Sequence, residues 1–469
     1  MLDSRFERVV LEGMDLLQEN APELLAHHIV MLLQHDAPEV RRRALGWISS
    51  HRLVEHAARV EQLVRDRHPL VCNAAMLALA SLRGVDVTRN VFDQLQSPDP
   101  RLRASAIALL VEYAEREHLG ALVTGIVNGG RPEEREVVAR TLARRRGPDV
   151  LPDMLERLLR DPEPAVRRAA LTSAGHLGRH EHVPVVLAAL GDRATREAAR
   201  TGLLAFGERI MGTLGDHLAD PAIPLAVRAQ IPGVLAEMGG QLAVDQLLRC
   251  PSCDQTPLGD AILRAANRLR GRDAALSFPD APVTESLQRD VESYLRTLAQ
   301  RRALPADSAV TTPEWLLLTA LTESGERTLD RAFSRLALLY PPAEIRAALI
   351  GIRSVDIRRR GGALEFLDSA LESRHGRLIG AIADARTDAE PAGHAEARVR
   401  ARAPERDEML QQLLGGQDSW LCACALFVAG TRRIDVLKSG IDACFARGET
   451  QVREMAHWAR QQLDGGNGA

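Results

Sequence analysis

The sequence predicts an all-α protein, an α-solenoid (superhelix) of two-helix repeats joined by a helical insert. Three observations lead there. Hydrophobic residues are 45% of the 469 positions while aromatics are only 3%, so the apolar surface comes from Ala, Leu and Val, which suit close-packed helices better than sheets. A proline-centred turn recurs at Pro38, Pro69, Pro100, Pro132 and Pro164, and self-similarity at a fixed period of about 31 residues marks stacked repeats. Between these prolines the apolar residues fall at helical spacing, as in DVLPDMLERLLR over residues 149–160.

The turns read HDAPEVRRRAL, DRHPLVCNAAM, SPDPRLRASAI, GGRPEEREVVA and DPEPAVRRAAL. Weaker copies follow near Thr195 and Pro224, another stands at Pro257, and a first copy stands near Glu7. Residues 1–272 therefore read as an array of about eight two-helix repeats. Proline presets φ for the first turn of each second helix, and an Asp just ahead of it can accept the unpaired amides there. An aliphatic residue follows the proline by two positions and Arg by three, although the copy at Pro132 puts Glu134 in the aliphatic slot. Six positions on come Ala44, Ala75, Ala106, Val138 and Ala170, small enough for neighbouring helices to approach closely.

The pattern D-x-P-x-V-R-x-x-A resembles the HEAT-repeat family over residues 1 to about 272. That resemblance implies a ladder between units built from the turn Asp and the early Arg, roles that Asp36, Asp99 and Asp161 and Arg41, Arg103 and Arg167 fit. Cys72 occupies the Arg slot of one copy and interrupts the ladder. The resemblance also implies a concave face, lined by second helices, that grips a protein partner.

Cys250-Pro-Ser-Cys253 falls where other copies carry their Asp/Pro turn and is read as a turn. Structural zinc needs four ligands, and the next cysteines, Cys422 and Cys424, lie far along the chain inside an apolar helix. His180, Glu181 and His182, with Glu117 and His118, do not recur at matching helix positions, so no metal site and no cofactor are expected.

From residue 273 the period fails. Residues 273–325 read as a helical insert or connector: a helix from about Thr284 with Leu287, Val291, Tyr294, Leu295 and Leu298 on one face, then a marked start with Thr312 as cap, Pro313 at the first position and Glu314 in the first turn. Residues 326–463 resume HEAT-like helices, with a polar loop at 384–409 and a disordered tail at 464–469. Within them, LYPPAEIRAALIGIRS followed by RRRGGALEFLDSAL resembles the HEAT-rich cytosolic region of bacterial proteins related to ATP/ADP translocases. The chain lacks the membrane domain that carries exchange in that family, so the resemblance implies a membrane-associated partner, such as a transporter or signalling protein, and not transport.

Composition narrows the function further. The net charge is −3, no apolar run reaches the roughly 18 residues a membrane span needs, and the six scattered cysteines do not make a disulfide framework. A cytoplasmic protein, peripheral at a membrane, is expected. Arginine clusters at Arg41, Arg42 and Arg43 and at Arg358, Arg359 and Arg360 are the candidate interaction surface. Nucleic acid is not the expected partner, because the charge is balanced, Lys438 is the sole lysine and aromatics for base stacking are few. With no phosphate loop or nucleophile elbow in sight, the expectation is a non-enzymatic scaffold or regulator that binds a protein partner. The alternative is a nucleic-acid binder using groove arginines, or a repeat-based modifying enzyme. Arginines interleaved with Asp and Glu favour the scaffold; arginines clustered without them favour nucleic acid.

Overall fold

The computed structural model describes residues 2, 7–83, 91, 95–113, 116–144, 152–249, 257–305, 309–387, 404–447 and 449–464. Among the described residues every regular element is helical. The first helices are α1 Glu7–Asn20, α2 Pro22–Leu32, α3 Pro38–Ser50, α4 Ala57–Leu63, α5 Pro69–Arg83, α6 Pro100–Tyr113, α7 Arg116–Gly129, α8 Pro132–Thr141, α9 Pro152–Leu159, α10 Pro164–Leu177, α11 Val183–Ala188 and α12 Arg196–Phe206. There follow α13 Met211–Ala219, α14 Leu225–Arg228, α15 Ile231–Met238, α16 Gly240–Leu248, α17 Pro257–Arg272, α18 Asp280–Arg302, α19 Pro313–Leu339, α20 Pro342–Ile352, α21 Ile357–Ala370, α22 Ser373–Thr387, α23 Arg406–Gly415, α24 Ser419–Arg432, α25 Lys438–Phe445 and α26 Thr450–Asp464. None of the described helices is long and apolar enough to cross a membrane.

Packing divides the chain into two units, Met1–Thr213 with Pro221–Gln230, and Leu214–Asp220 with Ile231–Ala469. In the first unit the second helices of the repeats stack in sequence: α3 on α5, α5 on α6, α6 on α8, α8 on α10 and α10 on α12. Each of α4, α7, α9 and α11 leans on the second helix that follows it. This is the nearest-neighbour packing of a helical solenoid. Proline opens α3, α8 and α10 within the first turn. The small residues six positions on, Ala44, Ala75, Ala106, Val138 and Ala170, are all fully buried.

The approach is close between α10 and α12. A Cβ on Gly175 would sit 2.1 Å from the carbonyl oxygen of Gly202, and a Cβ on Gly202 would sit 2.5 Å from that of Leu171. Two glycines, one per helix, let the backbones touch. Elsewhere in the unit burial of Leu25, Ile29, Leu32, Leu45 and Ile48 builds a continuous core, each such side chain stabilising by about 1.5–3 kcal/mol.

In the second unit α18 and α19 pair along much of their length, and α19, 27 residues long, packs also on α17, α20 and α24. Thr312 caps α19, its hydroxyl accepting from the Trp315 amide, with Pro313 at the first position. The two ends of α19 serve different cores. Leu317 and Leu321 pack with residues of α23 to α26, whereas Leu329, Phe333 and Leu336 pack with Leu287, Val291 and Tyr294 of α18 and with residues of α20 to α22.

Some expectations fall at different places. Residues 384–387 continue α22, and α23 opens at Arg406, so the polar stretch is bounded by helix on both sides within 384–409. Its residues 388–403, the pair Cys250 and Cys253, and residues 465–469 lie outside the described residues.

Candidate functional site

The early arginines of α3, α6, α8 and α10 make two kinds of contact. Arg41 Nη1 donates to the carbonyls of His35 and Asp36 at 2.6 and 2.9 Å, while its Nε and Nη2 reach Asp66 in the next repeat at 2.9 and 2.8 Å. Arg103 Nη1 donates to the carbonyls of Ser97 and Pro98, and its Nε reaches Glu134 Oε1 at 3.1 Å. Arg135 Nη1 donates to the Gly130 carbonyl, and Nε and Nη2 grip Asp161 at 2.7 and 3.0 Å. Arg167 Nη1 takes the carbonyls of Asp161 and Pro162, and Nη2 lies 3.5 Å from Asp192. The guanidinium fork thus satisfies turn carbonyls with no helical partner and carries charge to the following repeat.

The turn aspartates are fixed in their own right. Asp66, Asp161 and Asp192 each accept the amide two residues on, from His68, Glu163 and Ala194, closing an Asx turn ahead of the helix. Burial pushes the Asp161 carboxyl up, but the hydrogen bonds from Arg135 and the Glu163 amide outweigh it and hold it below the usual carboxylate range. Asp66 is held low in the same way by Arg41 and the His68 amide.

The geometry revises the partners within the expected set. Arg41 pairs with the carboxylate of Asp66, and Asp36 contributes its carbonyl. Asp161 offers its carbonyl to Arg167 and its carboxylate to Arg135, one repeat earlier. Asp99 accepts the Arg103 amide through its carbonyl. Glu134, out of place by the aliphatic rule, stands in for the Asp its turn lacks: Oε1 takes Arg103 while Oε2 accepts the Arg131 amide. At Cys72 the thiol donates to the Asp66 carbonyl at 2.9 Å, replacing the arginine's turn contact but not its reach.

The candidate surface arginines separate into two groups. Arg41 is only 5% exposed, so its place in the ladder withdraws it from any surface role. Arg42 is bonded to Glu39 and Arg43 to Asp15. On α21, Arg359 has Asp356 at 3.9 Å, whereas among the described residues Arg358 and Arg360 have no ion pair.

Sequence reasoning missed a cleft of 1360 Å³ within the second unit. One wall comes from α18 and α19, with Arg296, Arg327, Arg331, Thr297 and Thr328; the opposite wall comes from α23 and α24, with Glu405, Glu408, Asp418 and the half-exposed Trp420. Arg327 spans the walls to Asp418 at 3.7 Å. Behind the first wall, Arg331 and Arg335 hold the buried Asp290 at 3.2 and 2.6 Å. Arg432 grips Glu314 at 2.6 and 2.8 Å, tying α24 to α19, and that bond keeps the Glu314 carboxyl low. Among the described lining residues there is no His, Cys or Lys, so the cleft offers charge, hydroxyls and an indole for recognition.

Two buried polar clusters were also unforeseen. Tyr340 accepts from the Glu372 amide at 3.0 Å and donates to His375 Nδ1 at 2.7 Å, leaving Nε2 to donate to Thr284 at 2.8 Å. Burial, followed by Arg374, pushes the His375 pKa down. Cys422 pairs not with Cys424 but with Cys444, sulfur to sulfur 3.8 Å. The hydrogen bond from Cys422 draws Cys444 down to about 7 against the opposing effect of burial, with Arg447 helping. His182 is buried, its pKa lowered by desolvation, and both His27 and His28 are exposed. The side chains of Glu117 and His118 lie outside the described residues. No group of three or more His, Cys, Asp or Glu among the described residues is arranged to hold a metal.

Comparison with known proteins places these features. The HEAT repeats family matches residues 88–175 and 119–204, covering α6 to α11 and most of α12. No curated protein matches the chain. Solved structures similar to it include the karyopherin Kap121p bound to the SUMO protease Ulp1p, at 13% identity and a TM-score of 0.32, covering 96% of this chain and 53% of that one. Kap121p bound to the extreme C-terminus of the protein phosphatase Cdc14p matches at 13% identity and a TM-score of 0.34, with the same coverages. An engineered protein matches at 13% identity and a TM-score of 0.21, covering 93% of this chain and 98% of that one. The chain spans about half the length of the karyopherin chains. Among its described residues the chain is all-α, the second helices of its first unit stack as in a solenoid, and residues 88–204 match HEAT repeats.

Proposed function

We propose that this protein is a non-enzymatic HEAT-repeat scaffold or regulator that binds a protein partner, with the cleft of the second unit as the gripping site. The observation that carries the reading is the commitment of its arginines: Arg41, Arg103, Arg135, Arg167, Arg331, Arg335 and Arg432 are all spent on carboxylates of the same chain. Such interleaving leaves little unopposed charge to track a phosphate backbone. The cleft offers what a peptide segment uses: charges of both signs on facing walls, and an exposed indole to anchor it. That the partner is located at a membrane, a transporter or signalling protein, rests on the resemblance of residues 329–371 to the translocase-related region.

The test uses the full chain, tagged and isolated from its own cells, beside Trp420→Ala and the Glu405→Gln/Glu408→Gln pair. The reading expects one stoichiometric protein partner, lost from both variants, whose circular dichroism matches the parent. Nuclease-sensitive nucleic acid in the complex, or a partner retained by both variants, contradicts it.

A further inference from the structure

The connection between α20 and α21 exposes its largest apolar side chains to solvent. Ile350 is 67% exposed, Val355 96% and Ile357 75%. Single exposed aliphatics are ordinary, but three within eight positions, at the joint of two helices, make a tip. Its charge is also unusual. Arg358, Arg359 and Arg360 fill the first turn of α21, where the helix dipole favours acids and opposes cations. Asp356, which caps α21 by accepting the Arg358 amide at 2.9 Å, is the one acid in the connection. Arg346 lies one helical turn before Ile350 on the same exposed face of α20. A sequence that breaks a local rule without local gain points to a function at that place.

We propose that this tip docks on an anionic phospholipid surface, with Ile350, Val355 and Ile357 entering the headgroup and acyl boundary and Arg358, Arg359 and Arg360 pairing with lipid phosphates. A side chain 96% exposed lies on a convex surface, so it meets a flat, deformable medium more readily than it accepts a peptide. The exposed apolar side chains of the tip are all aliphatic, whereas protein interfaces enrich Tyr, Trp, Phe and Met. Aliphatics inserted beside basic residues are the combination that holds peripheral proteins at charged bilayers. The tip shares no residue with the cleft, so this inference and the proposed partner binding stand or fall separately.

Vesicle cosedimentation of the full chain tests it, comparing phosphatidylcholine alone with mixed phosphatidylcholine and phosphatidylserine. Binding is expected only to the mixed vesicles and should weaken with added salt. Each arginine contributes about fivefold, so Arg358→Ala/Arg359→Ala/Arg360→Ala together should weaken binding about a hundredfold. Val355→Ser/Ile357→Ser should weaken it about tenfold or more, and exchange of the amides of residues 350–360 should slow on the mixed vesicles. Both variants alter exposed side chains apart from the half-buried Arg360 and should keep the parent's melting midpoint. If Val355→Ser/Ile357→Ser does not fold, the exchange pattern of the parent chain still decides. Absence of binding to mixed vesicles, protection elsewhere in the chain, or binding of the tip to an acidic protein in place of vesicles overturns the proposal.

Discussion

Replacing Asp161 by Ala should cost the first unit more than any exposed ion pair does. The carboxylate accepts Arg135 Nε at 2.7 Å, Arg135 Nη2 at 3.0 Å and the Glu163 amide at 2.9 Å, and both partners of the pair are largely buried. Breaking one side of a buried pair costs about 3–5 kcal/mol because the other charge is stranded. Arg135 keeps its bond to the Gly130 carbonyl and some access to water, so about 2.5–4 kcal/mol is expected. Asp161→Asn retains the Asx turn and should cost about 1–2 kcal/mol. The assay is urea unfolding of the full chain followed by far-ultraviolet circular dichroism, read at the first transition, because a repeat array need not unfold in one step. Glu12→Ala, which removes an exposed pair with Arg8, should cost less than about 0.5 kcal/mol. A double-mutant cycle with Arg135→Met should return a coupling of about 1.5–2.5 kcal/mol. If Asp161→Ala costs no more than Glu12→Ala, or the coupling vanishes, the ladder does not hold the repeats together.

Other consequences follow from single contacts. Gly175→Ala should destabilise by about 1–3 kcal/mol by forcing α10 and α12 apart, whereas Gly125→Ala, on α7 with nothing within 4 Å of a new Cβ, should stabilise by about 0.5–1 kcal/mol; melting of the two variants separates the signs. The folded pKa of His375 lies below its unfolded value of 6.5, so the unfolded chain binds the proton first. The stability that His375 contributes is complete above pH 6.5 and is lost as pH falls through the lowered folded value, a slope that His375→Gln should reduce. Asp66 and Asp161, also lowered, contribute stability present above the unfolded carboxylate value of 3.8 and lost as pH falls through their folded values. Cys422 and Cys444, fully buried, should resist iodoacetamide in the native chain and react in urea; rapid native alkylation of Cys444 would mean that α25 opens readily.

The repeat was legible because it is local. Pro38, Pro132 and Pro164 mark helix starts through backbone geometry that needs no tertiary partner. The ladder was legible in residue types but not in pairing: a turn Asp beside an early Arg suggests one bond, and only the stacking of α8 on α10 sends Arg135 forward to Asp161. Glu134 looked like a defect because its role depends on an arginine 31 positions away. The cleft was not legible at all. Arg331 and Trp420 belong to helices distant in sequence, and LCACALFVAG reads as a buried helix, which it is except at the half-buried Phe427, while Trp420 stands exposed just ahead of it. The Tyr340, His375 and Thr284 chain joins three helices in the same way, invisibly to any pattern of spacing.

The central claim, a protein partner gripped by the cleft of the second unit, is tested most directly by crosslinking inside the native cell, with the linked peptides identified by mass spectrometry. A carboxylate-directed reagent suits a chain with one lysine and an acidic wall of Glu405, Glu408 and Asp418. The account predicts links from these three residues to one recurring protein. Links that avoid them, or recovery of nucleic acid with the chain, would contradict it.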